Sequence, residues 1–241
     1  MKMTCMKTIW TTMSLLLAAT AINGISTTAN AADLAAKPVY KAVPAVDLWN
    51  PWMIRVRALA VVPENGGSVH QVPGSSLKTS DQYVPELDIS YFFTPNLAAE
   101  LILGVTKHHV TGDGALAGLD VGKAWLLPPT LTFHYHFTNF GAFKPYIGAG
   151  VNYTWFFSQT AGNTPTVGGL QVTSSSLKDT AAPVLQFGFD YMIDKHWGWN
   201  VDVKKMWMRP NWEGTLANGT AITGQVKLDP WLIGTGITYK F

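Results

Sequence analysis

The chain has a single cysteine among its 241 residues, Cys5, placed ahead of the first apolar stretch. Without that leader no thiol remains, so no disulfide can staple the fold. Stability must come from burial or from a closed hydrogen-bond network. Charge is also scarce: charged residues make up 13%, about half the usual share for a soluble protein. Taking away Lys2 and Lys7 leaves 15 basic residues against 15 acidic ones. No basic patch points to nucleic acid, and none is expected as a partner. After the leader there is no run of some 18 uninterrupted apolar residues, which argues against a transmembrane helix. No amphipathic helical period stands out either.

The leader itself is legible. Lys2 and Lys7 give a basic start, Ile9 to Ile22 is mostly apolar, and Ala29-Asn30-Ala31 has the small-x-small form of a cleavage site. The pattern predicts a secretory signal peptide over 1–31, with the mature chain beginning near Ala32. Residues 32–50, rich in Ala, Val and Pro, read as an extended periplasmic tail.

What the rest contains is period two, together with 12% aromatics. In "WMIRVRALAVV", Trp52, Ile54, Val56, Ala58 and Ala60 share one face, and Met53, Arg55, Arg57, Leu59 and Val61 share the other. Successive side chains of a strand point to opposite faces. The same alternation runs through "ELDISYFF", "LAAELILGVT", "TLTFHYHF", "YIGAGVNYTW", "VLQFGFDY", "WNVDVKKMW" and the closing "WLIGTGITYKF". In the last, Thr235 is the one weak position on the bulky face. Lys205 breaks the bulky face of the seventh segment and is expected near an interface, where a long side chain can snorkel.

The connections decide between two solvents. Thr94-Pro95-Asn96, Asn139-Phe140-Gly141 and Ile193-Asp194-Lys195-His196 are short; 63–83, 107–125, 158–180 and 209–226 are long and rich in Gly, Ser, Thr and Asn. Short and long links alternate, as in an outer-membrane barrel with tight periplasmic turns and longer extracellular loops. Aromatics near the strand ends fit interfacial girdles. In lipid an open edge leaves backbone groups unpaired at several kcal/mol each, so the last strand must pair with the first. The expected fold is therefore all-β: an eight-stranded antiparallel transmembrane barrel over 51–241. A soluble lipocalin-like barrel would reverse the two faces.

Five blocks carry a resemblance: "PELDISYFFTPNLAAELILGVTKHHV", "LPPTLTFHYHF", "FKPYIGAGVNYTWFF", "FGFDYMIDKHWGWNVDVKKMW" and "LDPWLIGTGITYKF". In order, and over nearly all of the mature chain, they resemble the OmpW family. The resemblance implies a narrow hydrophobic channel in the outer membrane of a Gram-negative bacterium, associated with admission of small apolar molecules. Tyr239 and the terminal Phe241 look like the signal read by the outer-membrane assembly machinery.

Strand direction orders the inward residues by height. Near the outer ends lie Leu59, Val61 and Val84, then Leu126, Phe156 and Val184, then Met206, Met208, Leu228 and Leu232, with Ile102 just below. These are expected to form an apolar mouth that receives solute. Lower down come Arg55, Arg57, Glu86, Asp88 and Glu100 from the first half, and His134, His136, Asp190, Asp202 and Lys204 from the rest. Charges taken out of water must be paired, so Arg55 and Arg57 are expected to bridge Glu86, Asp88 or Glu100 and to plug the barrel. An apolar solute would enter the mouth, stop at the plug and leave sideways into the bilayer. Pro128 and Pro129 mark a candidate exit, because two residues without N–H leave gaps in a ladder. A strand entrance or bulge explains them equally well; the alternative to a working mouth is loop packing above a belt that is only structural.

Other chemistry finds little support. His134 and His136 face one way and make half a metal site, with no second pair in the sequence. His108 and His109 point to opposite sides. Gly148-Ala149-Gly150 precedes no helix and is no nucleotide fingerprint. No metal or cofactor is expected. The rival classes are a lipid-modifying barrel enzyme, which needs a nucleophile beside a base, and a passive structural or adhesive barrel. Ser174 to Ser176 adjoin no histidine in sequence.

Overall fold

The computed structural model describes residues 49–162, 165 and 169–241. The expected signal peptide, its cleavage site and the tail up to residue 48 lie outside the described residues. Among those described there is no helix. The strands are β1 (Trp52–Val62), β2 (Gly67–Val69), β3 (Ser75–Thr79), β4 (Gln82–Phe92), β5 (Leu97–Leu103), β6 (Thr106–Gly114), β7 (Asp120–Leu127), β8 (Thr130–His136), β9 (Phe143–Ala161), β10 (Val172–Leu177), β11 (Thr180–Met192), β12 (Trp197–Met206), β13 (Asn211–Leu216), β14 (Ala221–Val226) and β15 (Trp231–Lys240).

Eight of these close a ring. β1 pairs with β4, then β5, β8, β9, β11, β12 and β15 follow, and β15 returns to β1, all antiparallel. In the closing ladder Ile54 faces Tyr239 and Val62 faces Trp231. Along these ladders closure pairs the backbone edges that an open sheet would leave to the lipid, which is the energetic requirement for spanning it.

The two faces separate as alternation demands. Outward Val56, Phe133, Val151 and Ile237 are more than 40% exposed, while inward Arg55, Asp88, Glu100 and Asn200 are fully buried. A barrel in water would invert this, so the lipocalin alternative fails on the side chains themselves. Outer-end aromatics include the pairs Tyr153–Trp155 and Trp125–Phe157; Trp52–Tyr91, Tyr135–Phe137 and Tyr239–Phe241 mark the periplasmic end. Thr235, the weak point of the last strand, is satisfied locally: its hydroxyl accepts from Trp199 Nε1 and donates to the Asn200 carbonyl.

Two of the three short turns are fixed by side chains that cap backbone amides. Thr94 Oγ1 accepts from the N–H of Asn96 and of Leu97. The Asp194 carboxylate accepts from the N–H of His196 and of Trp197, both at 2.7 Å, and these two bonds hold it below the usual carboxylate range.

The long links depart from expectation. Among their described residues most are not irregular loop. β3, β6 and β7 extend the barrel sheet above the outer girdle, and β10, β13, β14 and β2 form a second sheet. Together they make a crown with its own buried interior, including Val69, Leu77, Val110, Leu119, Trp212 and Val226. Each fully buried aliphatic side chain there contributes about 2 kcal/mol. Short polar strands such as "SSLKT" and "AITGQV" alternate too, but their Ser, Thr and Gly content reads as loop.

Among the described residues the barrel wall is broken at one place. β5 pairs with β8 as far as Ile102 opposite Thr130, and the β6–β7 ladder begins only at Thr106 opposite Leu126. β4 pairs with β5 up to Leu87 opposite Leu103. Above that point β4 continues along β1 to Gln82, while β6 is bonded to β7 and β3. Gly104 and Val105 therefore belong to no ladder, with Pro85 on one side and Pro128-Pro129 on the other. The seam ends higher up, where the Ser80 N–H donates to the His109 carbonyl.

Candidate functional site

Below the crown the lumen contains two chemically opposite layers. The lower is an ion network. Arg55 holds Asp190 with two bonds, Nε to Oδ1 at 3.0 Å and Nη2 to Oδ2 at 2.7 Å, and also reaches Glu100 and the Ser90 hydroxyl. Arg57 pairs with Glu86 at 3.0 Å, with Asp88, with Glu100 at 3.2 Å and with Asp202 at 3.4 Å. Lys204 meets Glu86 at 2.9 Å and Asp202 at 2.7 Å.

The expected bridges from the two arginines to Glu86, Asp88 and Glu100 are present. The alternating pattern put these residues in one lumen but did not show that Asp190 and Asp202 would complete the pairing from the far wall. Neutral partners were missed as well. Gln186 donates to Glu100 and Asp202 and accepts from His134 Nε2 at 2.9 Å. Tyr146 donates to Asp202 at 2.8 Å, and Asn200 Oδ1 accepts from Arg57 at 2.8 Å. Their inward parity was the available signal.

His134 and His136 lie in this layer, against the Tyr146 ring. His134 Nε2 is taken up by Thr132 and Gln186. On the periplasmic side His136, Asp190, Lys144 and Lys240 border a vestibule of about 140 Å³. Charges this buried are costly alone and tolerable only when paired.

The upper layer is apolar. A chamber of about 50 Å³ is bounded by Leu59, Val61, Val84 and Ile102 on one side, and by Leu126, Met206, Met208 and Leu232 on the other. Glu86 lies at its boundary with the ion layer, and Pro128, Gly104 and His108 complete part of its wall. Three expected mouth residues do not line it. Phe156 joins the crown interior, and Val184 is buried behind Met206 and Leu232 in the same cluster. Leu228 also belongs to the crown. The crown interior is continuous with the chamber's upper wall at Leu126 and Met208, so side chains rather than an open funnel lie above the chamber.

Pro128 and Pro129 lie at the wall break, held from β9. Asn152 Nδ2 donates to both prolyl carbonyls, and Tyr153 N–H donates to Pro129. Continuing the β5–β8 register places Pro128 opposite Gly104 and Leu127 opposite Val105. The β4 side of the break was not legible, because nothing in Pro85 or Gly104 alone marks a missing ladder. Lys205 reaches out of the girdle to Glu64 at 2.6 Å, over the Trp231 ring. Ser175 accepts from Trp212 Nε1 in the crown, far in sequence and layer from the luminal histidines.

A closed eight-stranded barrel with a lipid-facing apolar belt, a buried ion layer and an apolar chamber is an integral protein of the outer-membrane barrel class. Residues 51–241 match the OmpW family, and the chain belongs to it. It is 50% identical over 214 residues to "Uncharacterized outer-membrane protein y4mB" of Sinorhizobium fredii, covering 88% of this chain and 90% of that one. It is 30% identical to "Dibenzothiophene metabolism operon protein PahQ" of Pseudomonas aeruginosa, over 80% of this chain and 89% of that one. Among solved structures, the outer membrane protein OprG of Pseudomonas aeruginosa superposes with a TM-score of 0.70 at 27% identity, covering 79% of this chain and 95% of that chain.

Proposed function

We propose that this barrel is a channel that admits small hydrophobic molecules to the apolar chamber and releases them sideways into the bilayer. The observation that carries the reading is the stacking of an apolar chamber on a paired, fully buried ion layer, beside a wall segment that no ladder holds. An uncharged apolar solute gains by entering the chamber and loses by entering the ion layer. The seam at Gly104 and Val105 offers a path to hydrocarbon that crosses no charge. The name of the relative PahQ, which refers to metabolism of the apolar aromatic dibenzothiophene, agrees with such a solute class. The chamber is smaller than the roughly 150 Å³ cavity that takes up benzene, so flexible Met206 and Met208 must move aside for a ring.

This reading assigns no catalysis to the luminal histidines, and it gives the chamber a use that a passive or adhesive barrel lacks. Tyr239 and Phe241 serve as the contact for the assembly machinery, and deleting Phe241 should lower the amount of folded barrel in cells. The test of transport is uptake of an apolar fluorescent tracer by vesicles carrying the purified barrel. Leu59→Lys with Met206→Lys should abolish uptake while the heat-resistant folded form persists on gels. Unchanged uptake would refute the chamber route, and lipid hydrolysis lost in His136→Ala would favour the enzyme instead.

A further inference from the structure

We propose that His108 makes the chamber selective for apolar solutes bearing one hydrogen-bond donor, such as phenols and alcohols, over solutes of the same shape that bear none. The proposal rests on the chamber being the solute site. His108 lies on β6 between inward Thr106 and Val110, is 6% exposed, and lines the chamber.

Its tautomer follows from one contact. Nδ1 is 2.8 Å from the Ser80 carbonyl oxygen. A carbonyl oxygen can only accept, so Nδ1 carries the proton, and in the neutral ring Nε2 is left as an acceptor. Burial holds this imidazole below its ordinary value, which keeps it neutral near pH 7. Among the described residues no donor is hydrogen-bonded to Nε2.

The other polar groups bordering the chamber point the same way. Glu86 is an acceptor, engaged through Oε1 by Arg57 and Lys204. Thr130 is committed: its hydroxyl donates to the Pro128 carbonyl and accepts from Asn152. Only Thr106 brings a hydroxyl that can take either role. A solute hydroxyl buried here finds an acceptor waiting, whereas burying it unpaired would be costly. Among the lining side chains a ketone or ether of the same size finds only the Thr106 hydroxyl as a donor.

Phenol and toluene have nearly the same shape and differ in the donor, so they test the idea on the intact barrel in detergent micelles. His108→Phe should weaken phenol binding about fivefold and leave toluene within about twofold, the effect expected for one hydrogen bond. A merely structural role for His108 would move toluene as much as phenol. In the unaltered protein, phenol should shift the nitrogen-15 resonance of His108 Nε2 and toluene should not; this measurement stands even where the variant fails to fold. Toluene binding with phenol indifferent to His108, or an unmoved Nε2, would overturn the selectivity and leave the channel reading in place. Failure of both compounds to bind would overturn both.

Discussion

Lys204 and Glu86 meet at 2.9 Å across the lumen, on β12 and β4, at the level where the apolar lining gives way to charge. Both are buried, and the contact closes the floor of the chamber. Lys204→Met should therefore destabilise the barrel by about 3–5 kcal/mol, because Glu86 and Asp202 each lose a buried partner. Adding Glu86→Gln should recover part of the loss. Urea unfolding in detergent, followed by tryptophan fluorescence, measures both; equal stability of Lys204→Met and the unaltered chain would contradict the pairing.

The seam between β4 and β6 can be locked. Leu87 pairs with Leu103, so continuing that register places Pro85 opposite Val105. A disulfide joining Pro85→Cys to Val105→Cys should stop tracer uptake, and reduction should restore it. The only native cysteine is Cys5, so the background is low. Uptake that persists in the oxidised form would exclude this exit.

The prolines should act in the same direction but more weakly. Pro128→Ala with Pro129→Ala returns two N–H groups, of which the one at 128 lies opposite Gly104 and can begin to complete the ladder. Tracer uptake should slow without being lost. Asn152 already ties this stretch to β9, so overall stability should barely change.

Acid should loosen the crown at β6. Burial depresses the His108 pKa below its ordinary value, so the unfolded chain binds a proton there before the folded one does. Stability is complete above about pH 6.5 and falls as the pH drops from there toward the folded pKa. Amide exchange in β6 should accelerate as pH falls through this window, after correction for intrinsic rates, and His108→Phe should remove that dependence.

Much of this molecule follows from the chain alone. Alternation such as Arg55 and Arg57 against Ile54 and Val56 assigns each side chain to lipid or lumen, because a strand has only two faces. The alternation of short and long links gives direction, and direction gives height, which is why Leu59 and Met206 were separable from Glu100 and Asp190. Pairing across the lumen was not legible: which carboxylate meets which arginine depends on ring closure and on the lengths of side chains from opposite walls. The crown was hidden because its strands are short and built from Ser, Thr and Gly, residues that also make loops. The seam is decided by tertiary structure alone. Gly104 and Pro85 are ordinary in sequence, and a missing ladder exists only between strands that the folded barrel has brought side by side.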